Sequence, residues 1–269
     1  MDRTAENINV VFLGDLVGCA ALEMLCSKLP KLREEMQADL IVVNGENAAR
    51  GFGIHADQAE ALLAAGVDVI TSGNHIWQKE DILPVLDSNP RLLRPGNYPP
   101  GAPGTGECIL KLQERDGLEV AVLNLQGRER MGMAVDCPFR AADELVEKLQ
   151  KQTPLILLDF HAEDVREKEA MAHHLDGRVS AVVGTHTHVP TADERILPEG
   201  TAAVTDLGMC GPSDSVIGTR AELSIQRSLT QLPLRMDLSE NPIVLQGVLL
   251  ILDSWTGRAS SIRRITHEC

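Results

Sequence analysis

Two histidines two residues apart, in Gly184-Thr185-His186-Thr187-His188-Val189-Pro190, directly follow the apolar run Val179-Ser180-Ala181-Val182-Val183. If that run is a strand, His186 and His188 leave a sheet at its carboxyl edge. The alternation of an extended segment then turns both imidazoles toward one point while Thr185 and Thr187 face away. Such a pair suits a metal ion, although an isolated H-x-H is more often two histidines on a surface loop. The rest of the chain changes that balance. Other short apolar runs end in groups of the same kind: Asp15 after 8–13, Glu46 and Asn47 after 40–43, Asn74 and His75 after 67–70, and His161 after 155–158. Groups at the carboxyl edge of an α/β sheet share one rim, where such folds place their sites.

These donors are oxygen and imidazole without a thiolate, which suits Mn, Fe or Zn better than a cysteine-bound structural zinc. They are too many for one tetrahedral ion. Two ions about 3.5–4 Å apart, bridged by a carboxylate and a hydroxide, would use them and would stabilise both the attacking and the leaving oxygen of a displacement at phosphorus. The expected chemistry is phosphoester hydrolysis.

The elements that must position these groups follow from periodicity and turn residues. A strand over 8–13 leads to a helix over about 20–35, interrupted at Pro30. A strand over 40–43, a helix over 57–65, a strand over 67–70 and a helix near 79–87 follow. The Pro- and Gly-rich passage 94–101 reads as an ordered loop. Runs 107–113 and 118–125 flank Arg115-Asp116-Gly117 and predict a hairpin, where crossovers give way to antiparallel pairing. An amphipathic helix over 139–150, with Leu145, Val146 and Leu149 on one face, precedes the strand ending at His161, and a helix over about 166–175 precedes the His186 stretch. Strands are expected at 202–205, 243–252 and 260–265. This order implies an α/β protein, a four-layer αββα sandwich of two mixed sheets packed face to face with helices outside. One domain over residues 1–269 accommodates it.

Composition narrows the function. Apolar residues make up 43% of the chain and aromatics only 3%, so the core is aliphatic and base stacking on aromatic platforms is not expected. The net charge of −14 repels polyanions and anionic membranes, which disfavours a nucleic-acid polymer as partner. A small anionic substrate stays compatible where bound cations dominate the local field. Cys19, Cys26, Cys108, Cys137, Cys210 and Cys269 are scattered, without a C-x-x-C pair or a secretory leader. They read as reduced thiols in a cytoplasmic protein.

The motifs Gly14-Asp15, Asn44-Gly45-Glu46-Asn47-Ala48-Ala49, Gly73-Asn74-His75-Ile76-Trp77, Asp159-Phe160-His161-Ala162-Glu163 and residues 184–193 resemble the calcineurin-like metallophosphoesterases, and more closely their YmdB-like bacterial branch. The resemblance runs over nearly the whole chain. It implies a dinuclear Fe or Mn centre, with Zn or Mg as alternatives, and phosphodiesterase activity on 2′,3′- or 3′,5′-cyclic nucleotides through a metal-bridging hydroxide. It also implies a division of ligands: Asp15, Glu46, Asn47 and His188 on one ion, Glu46, Asn74, His161 and His186 on the other, with Glu46 as the bridge. His75 follows a ligand and is placed to stabilise phosphoryl oxygens or protonate the leaving alkoxide.

Two features depart from the wider superfamily: Val17 stands where Asp-x-His is usual, and Glu46 where the bridge is usually Asp. Both fit the YmdB-like branch, whereas Asp164-Val165-Arg166 and Arg128-Glu129-Arg130 look atypical even there. His55, His173, His174 and His267 read as solvated or capping residues. Arg50, Gly51 and Gly53 form a loop beside Glu46 and Asn47 or a solvated turn. The competing reading from another class is a metal-bound regulatory or scaffold protein with vestigial hydrolysis. A homo-oligomer is left open.

Overall fold

The computed structural model describes residues 7–240 and 242–268, so Cys269 lies outside it. Two six-stranded sheets form its centre. The first begins with three parallel strands, β1 (Asn7–Val17), β2 (Leu40–Asn47) and β3 (Val69–Thr71), linked by helices α1 (Cys19–Met36) and α2 (Ala56–Ala65). After α3 (Leu83–Ser88) the chain enters the second sheet through the predicted hairpin, β4 (Glu107–Leu112) and β5 (Leu118–Gln126). Crossovers then resume rather than end. Helices α4 (Pro138–Gln150) and α5 (Val165–His174) connect β5, β6 (Ile156–His161) and β7 (Ala181–Thr185) in parallel.

That sheet closes with β8 (Arg195–Ile196) and β9 (Ala202–Val204). The chain returns to the first sheet through β10 (Met209–Pro212), helix α6 (Ala221–Thr230) and the long hairpin β11 (Ile243–Asp253) and β12 (Ala259–Glu268). The strand β11 pairs antiparallel with β1 from Asn7↔Asp253 to Leu13↔Gly247. First and last strands are therefore neighbours.

Alternation along the strands builds the layers. Ile8, Val10 and Phe12 of β1 and Leu40 and Val42 of β2 meet Val120, Val122, Leu157 and Val183 between the sheets. The intervening Val11, Leu13, Ile41 and Val43 pack under α1 and α2 with Leu25, Leu29 and Leu62. On the far side Ile156, Leu158 and Phe160 pack with Val146 and Leu149 of α4 and Met171 of α5. The expected four-layer αββα order is what these clusters make. No helix among the described residues is long and apolar enough to cross a membrane.

Pro30 does not interrupt α1, which runs on to Met36. Proline removes one helical N–H bond, but Pro30 is exposed, so water can serve the carbonyl left without a partner, while Leu25, Leu29 and Leu32 anchor the other face. The segment 213–240, including α6, carried no sequence expectation, and no residue of α6 is buried. The Pro/Gly-rich passage is ordered: Arg94 bonds the Pro95 and Pro103 carbonyls and Asn97 those of Gln126 and Asp136.

Candidate metal centre

The same alternation decides which strand-end groups face the inter-sheet space. In β6, Leu157 lies between the sheets, so Asp159 and His161 follow it there, and in β7 Val183 is followed by Thr185. Strand β1 needs a correction of parity. Asp15 has the parity of Val11 and Leu13, which face the helices, but the register against β2 shifts between Leu13 and Asp15. A bulge re-aims the next side chain. Asp15 thereby turns toward His161, and Leu16 takes the helix-side position.

All eight predicted groups come to this rim. In one cluster His161 Nε2 lies 3.0 Å from His186 Nδ1, 3.1 Å from Asn74 Oδ1 and 3.1 Å from Glu46 Oε1. Ligand atoms of Glu46, His161 and His186 fall within 4.8 Å of one another. In a second cluster His188 Nε2 lies 3.1 Å from Asn47 Nδ2 and 3.8 Å from Asp15 Oδ1, and Asn47 Nδ2 donates to Glu46 Oε1 at 3.2 Å. Glu46 touches both. His186 and His188 thus diverge. Their backbones are not extended, with φ of 105° and 65°. The simple alternation expected for this stretch does not hold, and each ring serves a different cluster.

The donor set fits metal ions. Each histidine has its outer nitrogen on an oxygen: His161 Nδ1 on Thr185 Oγ1 at 2.9 Å, His188 Nδ1 on the Ile217 carbonyl at 2.9 Å, and His186 Nε2 beside a Glu163 carboxylate oxygen at 3.3 Å. Outer contacts of this kind fix the tautomer and leave the inner nitrogen as a lone pair. Two inner lone pairs 3.0 Å apart repel unless a proton or a cation lies between them. Asp15 Oδ1 is buried without a hydrogen-bond partner, a deficit that a cation corrects. Asn47 presents its amide nitrogen here, so ligation needs the amide turned over to offer Oδ1.

Electrostatics agree. Burial works against charge on both His161 and Glu46, yet their mutual attraction prevails, holding His161 above and Glu46 below the usual range. The carboxylates that favour positive charge on His161 would favour a cation beside it equally. Burial, reinforced by His161, pushes His186 down to about 3, and burial raises Asp15 to about 6 against the pull of His188 and His161.

His75 is in neither cluster. Its backbone N–H donates to Glu46 Oε2 at 3.2 Å, its Nδ1 is buried and unpartnered, and burial lowers its pKa. The ring lines a cavity of about 610 Å³ that also reaches Glu46, His186 and His188. Phe52 stands edge-on to it at 5.0 Å, half exposed, so an aromatic does reach the site despite the aromatic-poor composition. His55 caps α2 beside Asp81, and His174 pairs with Asp143 at 2.9 Å, both away from the centre.

Several supports escaped the sequence reading. Asp159, fully buried, accepts hydrogen bonds from Thr185 at 2.7 Å, Thr71 at 2.5 Å and Asn44 at 3.0 Å, and so braces the Thr185 that orients His161. Asp206 accepts from Thr187 through both N–H and hydroxyl, at 3.1 and 2.8 Å, and from the buried Lys168 ammonium at 2.8 Å. Thr187 sits between the two site histidines. The only sequence signal was alternation, which turned Thr185 and Thr187 away from the histidines without naming their partners. The two atypical segments meet each other: Glu167 accepts the Arg128 and Glu129 N–H groups, and Arg130 approaches Asp164 at 3.5 Å.

Residues 11–265 match the family described as "YmdB-like protein". The chain is 45% identical over 258 residues to the 2′,3′-cyclic-nucleotide 2′-phosphodiesterase of Bacillus subtilis, with 96% of each chain covered. Among solved structures it is similar to a phosphatase from Mycoplasma pneumoniae, at 34% identity and a TM-score of 0.91, over 98% of this chain and 95% of the other. It is also similar to a hypothetical protein of Thermus thermophilus, at 38% identity and a TM-score of 0.89, over 97% and 99%.

Proposed function

The chain belongs to the YmdB-like family, and from that premise we propose that it is a metal-dependent phosphodiesterase that hydrolyses cyclic nucleotides, 2′,3′-cyclic esters first and 3′,5′-cyclic esters second. The observation that carries this reading is the pair of donor clusters that share Glu46 at the rim of one cavity. Asp15, Glu46, Asn47 and His188 would hold one ion, and Glu46, Asn74, His161 and His186 the other. Oxygen and imidazole donors favour iron or manganese, with zinc or magnesium next. Bound there, the ions supply a nucleophile from water near neutral pH and offset the phosphate's charge.

The chain's own residues do the rest. Hydrolysis forms one bond from water oxygen to phosphorus and breaks one from phosphorus to a ribose oxygen, which departs with a proton. His75, beside the donors and facing the cavity, hydrogen-bonds a phosphoryl oxygen or delivers that proton. Buried Asp159, Thr185 and Thr71 hold His161 to one orientation. Both sheets contribute donors, so we read residues 1–269 as a single metallophosphoesterase domain. Cysteines that form no disulfide among the described residues fit a cytoplasmic setting.

The test combines metal analysis with a substrate panel. Protein loaded with manganese or iron should hold about two ions per chain and cleave adenosine 2′,3′-cyclic phosphate and bis-p-nitrophenyl phosphate. Full metal occupancy without turnover of any diester would leave the vestigial reading in its place.

A further inference from the structure

A second cavity, of about 1050 Å³, adjoins the one at the metal centre. Val17, Phe52, Met236 and Leu238 line both and form the ridge between them. The smaller cavity, about 610 Å³, already lies in the range of small-ligand sites, roughly 300–1,000 Å³. A cyclic mononucleotide over the metal centre therefore leaves the larger lobe without an occupant.

The larger lobe differs from its surroundings in charge. In a chain of net charge −14 it gathers Arg50, Lys79, Arg220 and Arg235 against Asp237 and Glu240. Arg235 pairs with Asp237 at 3.0 Å, and Arg220 lies 4.0 Å from Glu222. Arg50 and Lys79 have no ion pair among the described residues, which leaves both charges for a ligand.

The backbone at Arg50 is also held in place. The turn that carries it springs directly from Glu46 and Asn47. The Gly51 N–H donates to the Asn47 carbonyl at 3.0 Å and the Ala49 N–H to the Gly53 carbonyl at 2.8 Å. Arg50 itself has φ 57°, and Gly51 and Gly53 are left-handed as well. A non-glycine residue in that region needs support from its surroundings, here the two turn hydrogen bonds. Lys79 joins the same turn from outside: a Cβ on Gly53 would stand 3.1 Å from its Cγ. Phe52, two residues after Arg50 and half exposed, puts an apolar face on the ridge.

We propose that this basic lobe binds a second phosphate on the 5′ side of the ribose whose cyclic ester is cleaved. The preferred substrate then carries either a 5′-phosphate or a preceding nucleotide, with the sugar and base between the two phosphates packed on the Phe52 ridge. This inference rests on the cyclic-nucleotide reading above. It extends the substrate by one charged group and keeps it short, because the acidic remainder of the surface opposes a long polyanion.

The experiment compares metal-loaded protein on adenosine 2′,3′-cyclic phosphate, its 5′-phosphorylated form, and the dinucleotide ApA ending in a 2′,3′-cyclic phosphate. A second phosphate should raise kcat/KM by about tenfold or more, mainly through KM, and the advantage should shrink as salt is added. The 5′-phosphate and dinucleotide arms show which source of phosphate the lobe accepts. Arg50→Asn, which tolerates the left-handed backbone, combined with Lys79→Ala should remove most of that ratio.

In parallel, binding of adenosine 3′,5′-bisphosphate and adenosine 3′-phosphate is measured by calorimetry. A preference for the bisphosphate that the double variant loses supports the lobe even without turnover. Equal affinities, or a substrate preference that survives in the double variant, overturn it. Turnover of the cyclic mononucleotide reports on the proposed function, and the binding ratio reports on the lobe, so each can fail by itself.

Discussion

Variants at Gly73 and His75, two residues apart, would separate the proposed holding of metal from the proposed chemistry. A Cβ on Gly73 would meet His161 at 2.1 Å and Glu46 at 2.3 Å, side chains held by buried networks that leave them no room to retreat. The backbone of Gly73 is not left-handed, so alanine would fit the chain and obstruct only the donors. Gly73→Ala should keep its circular-dichroism spectrum and lose bound metal. His75→Ala should keep its metal and lose about 10²–10⁴ in rate on poor leaving groups, the range typical of acid–base contributions. Elemental analysis beside steady-state rates checks the pair; if His75→Ala empties the centre, the division of roles is wrong. The convergence of the eight polar groups on one rim was legible because each follows an apolar run. The bracing by Asn44, Thr71, Asp159 and Lys168 was not, since Asn44 and Thr71 reach Asp159 across 115 and 88 residues and Lys168 reaches Asp206 across 38, and nothing local marks a buried polar group as braced.

Among elements, the stretch between β7 and β8 stands out because two of its residues, His186 and His188, hold positive φ without being glycine. Asp206 keeps it in that shape by linking Thr187 to Lys168 of α5, and both charges are almost fully buried, at 1% and 3% exposure. Removing one partner of such a pair leaves the other charge stranded. Lys168→Met should therefore destabilise the protein by about 3–5 kcal/mol, read as a lower denaturant midpoint, and weaken metal retention. A change under about 1 kcal/mol, the worth of an exposed pair, would mean that the clamp is ornamental. The strands and helices flanking this stretch could be read from periodicity, because each buries one regular face. Helix α6 carried no expectation, and it packs none of its residues into the core, leaving Ile225 and Leu229 exposed. Pro30 misled, as the core face of α1 outweighs one missing bond on its wet side.

Across the molecule, the proposed donors divide between the sheets: Asp15, Glu46, Asn47 and Asn74 come with the first, His161, His186 and His188 with the second. Ions bound between them would tie the layers together, so chelation should loosen the whole fold. A ligand present at 1,000 times its Kd adds about 4 kcal/mol, which for a chain of this size corresponds to a Tm shift on the order of 10 °C. Melting curves with and without chelator, followed by re-addition of manganese, measure it. An unchanged Tm despite proven metal loss would count against ions at this interface. The layer order followed from the succession of elements, but the sharing of strands between sheets did not, because the decisive pairing joins the two ends of the chain.

That pairing has a consequence during synthesis. β1 is made first, yet the strand that covers its second edge, β11, leaves the ribosome some 240 residues later, as the partnership of Val10 with Leu250 shows. At about 5–20 residues per second the oldest strand waits on the order of ten seconds or more with that edge open. The proposed donor set is itself incomplete until His188 has emerged. Metal capture there would be a late event in the life of the nascent chain, after most of the first sheet's parallel strands have been made.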